Sequence, residues 1–277
     1  MTKFRRPKYI IKANGNREPF SRIKLTRSLA RTGLPRKTCE DIANKVSNEV
    51  RTGDKTKFIY RKAFNLIKER SPLATVRYSL KKALFELGPE GHNFEDFVAR
   101  YFAKKGFTAQ VCKTLQGKYV KHEVDCIATN SSGDYFSECK FHNRSGTKND
   151  VKISLYVKAR WDDLKTGPDG KNLKGYYIFS NTAFTTDAIL YAAGTGLKLM
   201  GVNSPAEKSF LEEIKLMKLY PVTSLRTLTK YQKHMLLQKK IVVADEVNIE
   251  ILLKIGVDSS QINKVMEEVS LFQKGHV

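Results

Sequence analysis

The stretch that most constrains the fold spans residues 122–140 and reads HEVDCIATNSSGDYFSECK. Two short apolar runs flank a turn-forming NSSG segment at 130–133, and this pattern predicts a β-hairpin. Because side chains alternate between the two faces of a strand, Glu138 and Lys140 lie on the same face. The hairpin therefore places an acid and a base side by side on one face of a sheet.

The register of this hairpin brings further acids to the same face. Whether the loop has two or four residues, Asp125 lies opposite Glu138 and Glu123 opposite Lys140. Carboxylates that face each other repel unless a cation compensates them. The cluster is suited to Mg²⁺ or Mn²⁺ beside a basic group that faces a phosphate. The alternative interpretation is a set of surface ion pairs, which would contribute little to stability.

Composition and charge limit the class of protein. A chain of 277 residues with 41% hydrophobic and 28% charged residues is typical of a globular protein with about two or three compact units. The formal net charge of +22 indicates a polyanionic partner, and nucleic acid is the commonest. Residues 1–88 hold 23 Lys and Arg against 7 Asp and Glu, whereas the remaining residues hold 27 against 21. We therefore expect DNA as a partner.

The sequence also predicts the compartment. It has no apolar run of bilayer length and no signal-peptide core after its first basic residues, so we expect no membrane partner. The four cysteines form no CxxC pair and no zinc-like spacing: Cys39, Cys112, Cys126 and Cys139. These features predict a cytoplasmic protein with reduced thiols.

The first third of the chain predicts a small β-hairpin followed by four helices. Residues 9–20 form the hairpin, with its turn at 14–16, and Ser21 is the expected N-cap of the first helix. Helical periodicity and stop signals give the helix ranges 21–32, 37–52, 56–71 and 74–87.

The residues IIKANGNREPFSRIKLTRSL at 10–29 carry the spacing Lys-x-x-Gly-x-x-Glu-x-Phe-x-x-x-Lys. Together with a later Thr-x-x-Ile and an Arg77-Tyr78 pair, this spacing resembles the ATP-cone, the regulatory nucleotide-binding module of ribonucleotide reductases and of their repressor. The resemblance covers residues 8–88. It implies ATP or dATP as a regulatory ligand and a nucleotide-dependent homo-oligomer.

The resemblance also implies roles for individual residues, namely Lys12 and Lys24 near phosphates, Glu18 near the ribose or base, and Thr56 and Tyr60 around the base. Lysines bind phosphate as point charges, which agrees with these roles. Ala13-Asn14 stands where the family often has Arg-Asp, which leaves the choice of nucleotide open. The alternative is a positively charged domain that binds DNA and does not sense nucleotide. Because the chain has no P-loop pattern, we expect no ATP hydrolysis of that type.

The middle of the chain predicts the element order α-β-β-β-α-β-α-β, a mixed sheet with helices on both faces. The predicted ranges are helix 93–105, strand 107–112, the hairpin, helix 150–164, strand 175–180, helix 187–193 and strand 198–202.

Four motifs in this segment are Gly91-x-x-Phe94-Glu95, Glu123-Val-Asp125, Glu138-Cys-Lys140 and Asn181-Thr-Ala-Phe184-Thr185. With the element order, they resemble the Mrr-like branch of the PD-(D/E)xK nuclease superfamily over residues 90–205. The resemblance implies that Asp125 and Glu138 coordinate Mg²⁺. It also implies that Lys140 orients the attacking water and stabilises charge on the phosphate, and that Glu95 is an accessory acid.

The predicted fold class is α/β (α+β) with three domains. They are an ATP-cone-like nucleotide-binding domain at 1–88, a restriction-endonuclease-like α/β/α nuclease core at 89–218 and a small helical module at 219–277. The predicted tail helices are 225–239, 246–255 and 260–271. Leu252-Leu-Lys-Ile-Gly256, followed by Ile262 and Val265, resembles a helix-hairpin-helix; a packing or dimerisation module is the alternative.

The whole pattern predicts a nucleotide-regulated, Mg²⁺-dependent DNA endonuclease in defence against foreign DNA. The alternative is a non-catalytic nucleotide-sensing regulator that binds DNA. Carboxylates that face phosphate favour the first function, because a binding platform gains nothing from them.

Overall fold

The structure is a computed structural model that describes residues 7–206 and 208–274. The described residues divide into two compact units, residues 7–80 with Lys274, and residues 81–273. Residues 89–218 and the rest of the tail lie in the second unit. The division into three domains stays a prediction.

The first unit has the predicted hairpin followed by helices. Strands β1 (Tyr9–Ile11) and β2 (Arg17–Pro19) pair in antiparallel fashion. The helices that follow are α1 (Arg22–Ala30), α2 (Arg36–Glu49), α3 (Thr56–Lys68) and α4 (Pro72–Phe85). Ser21 caps α1 as expected, because its hydroxyl accepts a hydrogen bond from the amide of Lys24.

Helical periodicity explains the core of the first unit. On α2, Cys39, Ile42 and Val46 recur every three or four residues and are fully buried. Ile59 and Ile67 form the matching stripe on α3. Such stripes stabilise a helix mainly by packing against its neighbours.

The second unit contains a five-stranded mixed sheet and its covering helices. The elements are α5 (His92–Lys104), β3 (Thr108–Gln116), β4 (Lys121–Asn130), β5 (Gly133–Lys140), β6 (Lys148–Asn149), α6 (Val151–Thr166), β7 (Leu173–Ser180), β8 (Ala183–Phe184), α7 (Thr186–Thr195), β9 (Lys198–Gly201), α8 (Phe210–Leu216), α9 (Lys230–Gln238), α10 (Ile249–Lys254) and α11 (Ser259–Lys274). The sheet order is β3-β4-β5-β7-β9. Strands β3, β4 and β5 are antiparallel neighbours, whereas β5, β7 and β9 run parallel.

Strand β7 shows that helices cover both faces of the sheet. Tyr176 packs on one face, where its ring stacks on Trp161 of α6 with the ring centroids 4.6 Å apart. The next-but-two residue, Phe179, packs on the other face against Tyr101 of α5 at 5.2 Å. The predicted α/β class and mixed sheet are confirmed, as is the order of α5, α6 and α7 among the five strands of that sheet.

Some local expectations were wrong. The first tail helix begins at Lys230 rather than at 225, because Thr229 and Gln232 form a capping box that starts it there. The sequence analysis also missed the short parallel pair β6 and β8, which has only two residues in each strand, and helix α8. Within the described ranges, no helix combines the length and apolar character needed to cross a bilayer.

A single carboxylate joins the segment before α9 to the last helix, α11. Glu268 on α11 accepts hydrogen bonds from the amides of Arg226 and Thr227 at 2.9 and 3.0 Å, and from the Thr227 hydroxyl at 2.7 Å. We expect Glu268→Ala to lower the free energy of unfolding by about 1–3 kcal/mol, because it leaves these donors unpaired. Urea denaturation followed by circular dichroism measures the change. The exposed neighbour provides the control, Glu267→Ala, and equal stability of both variants would contradict the expectation.

Candidate functional site

The β4–β5 hairpin has the predicted register. The paired positions run from Asn130 with Gly133 to Cys126 with Ser137. The paired ladder ends there, so Asp125 and Glu138 come next in register, where the strands separate. In the gap, the Asp125 carboxylate accepts a hydrogen bond from the amide of Cys139 at 2.6 Å. This bond fixes the Asp125 side chain between the two strands.

The Asp125 carboxyl is in an environment that disfavours its charge. Its pKa is raised from 3.8 to about 7, first by burial and then by the neighbouring carboxylates of Glu138 and Glu95. The hydrogen bond from the Cys139 amide and the charge of Arg160 oppose that rise. The structure therefore brings two predicted acids, Glu95 of α5 and Glu138 of β5, within electrostatic range of Asp125 on β4.

Arg160 compensates one of these acids, and the sequence analysis missed it. Its guanidinium donates to the Glu138 carboxylate at 2.6 Å, and only 8% of its side chain is exposed. The same guanidinium donates to the Tyr156 hydroxyl at 2.5 Å. One signal could have revealed it: Arg160 continues the buried stripe of α6 between Val157 and Leu164, where an apolar residue is expected.

Glu95 lies in the first turn of α5, with 15% of its side chain exposed. Its Oε2 atom lies 3.4 Å from Nδ1 of His92 and accepts from Sγ of Cys112 at 3.6 Å. The predicted accessory acid thus lies beside β3 as well as near Asp125. Neither His92 nor Cys112 was among the predicted site residues.

Lys140 is exposed at the end of β5, and among the described residues no hydrogen bond or ion pair occupies its ammonium group. The segment after it is held by Asn181, whose side chain accepts from the amide of His142 and donates to its carbonyl, both at 2.9 Å. Asn181, part of a predicted motif, therefore positions the chain beyond Lys140. Glu123 is exposed, and the described contacts do not pair it with Lys140.

The predicted nucleotide-binding residues fall into two groups in the first unit. Lys12 and Lys24 both approach the Glu18 carboxylate, at 3.2 and 3.7 Å. Thr56 and Tyr60 lie one turn apart on α3. The ring of Tyr60 stacks on Tyr78, with centroids 5.1 Å apart and planes 10° apart. The structure thus brings Lys12, Glu18 and Lys24 together. It places Tyr60 in an aromatic stack.

Comparisons with known proteins match two parts of the chain to known domain families, one near each end. Residues 8–59 match the ATP cone domain, and residues 220–271 match the domain described as AF1548-like, C-terminal. An uncharacterized protein of Archaeoglobus fulgidus is 32% identical over 129 residues, which is 47% of this chain and 71% of that protein. The N-terminal ATP-cone resemblance is confirmed, whereas the Mrr-like assignment of the middle stays a prediction.

Two solved structures match this chain to different degrees. The crystal structure of the protein of unknown function AF1548 shares 28% identity with a TM-score of 0.53, and the match covers 67% of this chain and 99% of that one. Protein VC1899 from Vibrio cholerae shares 16% identity with a TM-score of 0.31, over 71% of this chain and 52% of that one. The second likeness is too low to support an argument.

The raised pKa of Asp125 predicts a pH-dependent stability. Since its pKa is about 7 in the folded state and 3.8 ordinarily, the folded protein holds the proton more tightly. The contribution of the Asp125 carboxyl to the free energy of unfolding is therefore fully present below about pH 4, and it is lost as the pH rises through about 7. Without divalent metal at pH 8, we expect the free energy of unfolding of Asp125→Asn to exceed that of the wild type by roughly 2–4 kcal/mol. Near pH 4 we expect the two free energies to be equal.

Urea denaturation in the presence of a chelator measures this gap at each pH. Asparagine keeps an oxygen that accepts from the Cys139 amide, so the substitution removes the charge and preserves the hydrogen bond. Asp134→Asn, at the other end of the same hairpin, is the control. Parallel pH profiles for wild type and Asp125→Asn would refute the electrostatic argument.

Proposed function

We propose that this chain, which belongs to the same protein family as the uncharacterized Archaeoglobus fulgidus protein, is a nucleotide-regulated, Mg²⁺-dependent DNA endonuclease. The observation that carries the proposal is the convergence of Glu95, Asp125 and Glu138 at the separating end of a hairpin, next to Lys140. Clustered carboxylates, among them Asp125 with its raised pKa, fit a divalent cation, which removes their repulsion. The central domain is then Mrr-like, and foreign DNA is the proposed target in defence.

The hydrogen bonds indicate which oxygens remain for the metal. One oxygen of Asp125 is taken by the Cys139 amide and one of Glu138 by Arg160, so each carboxylate keeps a second oxygen for the cation. Mg²⁺, or Mn²⁺, would supply Lewis-acid stabilisation of the phosphate and a more acidic bound water. Arg160 fixes the Glu138 carboxylate, and Glu95 adds negative charge at the edge of the site.

Lys140 is the group that faces the substrate in this proposal. Its ammonium is exposed, and no partner among the described residues holds it, so it can donate to a phosphate oxygen or orient the attacking water. Phosphodiester cleavage depends mainly on such positioning and on stabilisation of charge. The net charge of +22 supports DNA as the polyanion.

The second candidate function is a non-catalytic nucleotide-sensing regulator that binds DNA. The ion pair between Arg160 and Glu138 favours it, because a buried guanidinium already neutralises one carboxylate without a metal. In that case the remaining acids would be a structural feature of the hairpin. A cleavage assay distinguishes the two functions.

For cleavage, we expect the wild type to nick or cut plasmid DNA in Mg²⁺, with a rate that depends on added ATP or dATP. Lys140→Ala and Glu138→Gln should each lower that rate by about 10²–10³-fold, since the first removes the cation that faces the phosphate and the second a charged ligand of the metal. Lys171→Ala removes another exposed lysine of the same unit and is the control. Gel electrophoresis follows the products.

Equal rates for wild type and the two site variants would exclude the proposed active site. A wild type that binds DNA with each nucleotide and cuts it in none of them would support the regulator.

For nucleotide binding, we expect Lys12→Ala to weaken ATP or dATP binding by about tenfold, because a charge-assisted contact to phosphate is lost. Isothermal titration calorimetry measures the affinity. Lys37→Ala, on the exposed side of α2, is the control. Light scattering in the apo, ATP and dATP conditions should show a change of mass, as expected for a nucleotide-dependent homo-oligomer. Undetectable binding by the wild type would remove the sensor from the proposal.

A further inference from the structure

Beside the proposed nuclease site, three side chains form a second cluster with different ligand chemistry. His92 and Glu95 come from the first turn of α5, and Cys112 comes from β3. One ligand atom from each lies within 4.8 Å of the other two. An imidazole, a carboxylate and a thiol together differ in chemistry from the purely carboxylate set of Asp125 and Glu138.

Two of the distances in this cluster agree with those between ligands of a tetrahedral metal. Zinc bonds of about 2.1 Å to nitrogen or oxygen and about 2.3 Å to sulfur, at tetrahedral angles, place N and O about 3.4 Å apart and S and O about 3.6 Å apart. Around Oε2 of Glu95, the observed distances are 3.4 Å to His92 Nδ1 and 3.6 Å to Cys112 Sγ. An ordinary N–H···O bond would be shorter, at about 2.9 Å.

The backbone provides a second, independent observation at Cys112. This residue has φ = 51°, in the left-handed region that residues other than glycine rarely adopt. In the β3–β4 ladder Cys112 stands opposite Asp125, and these two positions are unpaired between the pairs Val111 with Cys126 and Lys113 with Val124. Such strain is typical of functional positions. Here it coincides with the turn of the thiol towards Glu95.

We propose that His92, Glu95 and Cys112 form a binding site for a divalent transition metal of the Zn²⁺ class, with a fourth position open to solvent. Thiolate and imidazole ligands select such metals over Mg²⁺. His92 is 73% exposed, so the ion reaches the site from solvent. On binding, Cys112 coordinates as thiolate and its proton passes to solvent.

This site shares Glu95 with the proposed nuclease but does not depend on DNA cleavage. Asp125 and Glu138 offer only oxygen, the ligand preferred by hard cations, whereas the new site adds nitrogen and sulfur. Two different cations would then share one end of the sheet, and metal identity can be tested without a substrate.

The test titrates Co²⁺ into the full-length, metal-free protein and records thiolate-to-cobalt charge-transfer absorption in the near ultraviolet. We expect a band that saturates at one equivalent of Co²⁺ per chain and is displaced by Zn²⁺. Cys112→Ser should abolish the band. His92→Ala should weaken binding by at least about tenfold, since even indirect ligand partners cost that much.

Controls separate this site from other thiols, histidines and carboxylates. Cys39→Ala, His234→Ala and Glu138→Gln should all retain the band, and circular dichroism checks that each variant is folded. Absence of the band in the wild type, its persistence in Cys112→Ser, or its loss in Glu138→Gln would overturn the proposal. Cleavage in Mg²⁺ is measured separately, so failure of the proposed nuclease is distinguishable.

Discussion

The two-residue turn at 131–132 holds the β4–β5 hairpin in one register, and the rest of the site depends on it. A slip by one residue would carry Asp125 and Glu138 to opposite faces of the sheet. The hydrogen bond from the Cys139 amide then holds the Asp125 carboxylate where the ladder ends. Because that position is partly buried, the charges around it interact strongly.

The electrostatics of the site follow from this placement. Three acids repel one another, and Arg160 enters from α6 to balance one of them. Its Nε atom is buried and has no hydrogen-bond partner in the described part of the chain. A buried charge of this kind is costly unless it is paired, so Arg160 and Glu138 are best considered as one unit. A bound cation would compensate the negative charge of the acids that Arg160 does not balance.

Local patterns allowed the hairpin, its register and the order of helices and strands to be predicted. Turn residues, alternation and capping act over a few neighbours, and the sequence displays them directly. Arg160 was missed because its partner Glu138 lies 22 residues away, beyond any local pattern. Cys112 was missed for a similar reason: cysteine spacing alone excluded a metal site, whereas the fold adds a histidine and a glutamate from a helix.

The position of Arg160 also limits where the length of the chain can change. Each residue of an α-helix turns by about 100°, so adding or removing one residue within α6 before Arg160 would bring a different side chain towards Glu138. Asn181 holds the chain after β5 through the backbone of His142, and the pairing of β6 with β8 holds it again directly before α6. Relatives that keep this site should therefore vary in length in the exposed stretch 143–147 between these two anchors, and not in the first turns of α6.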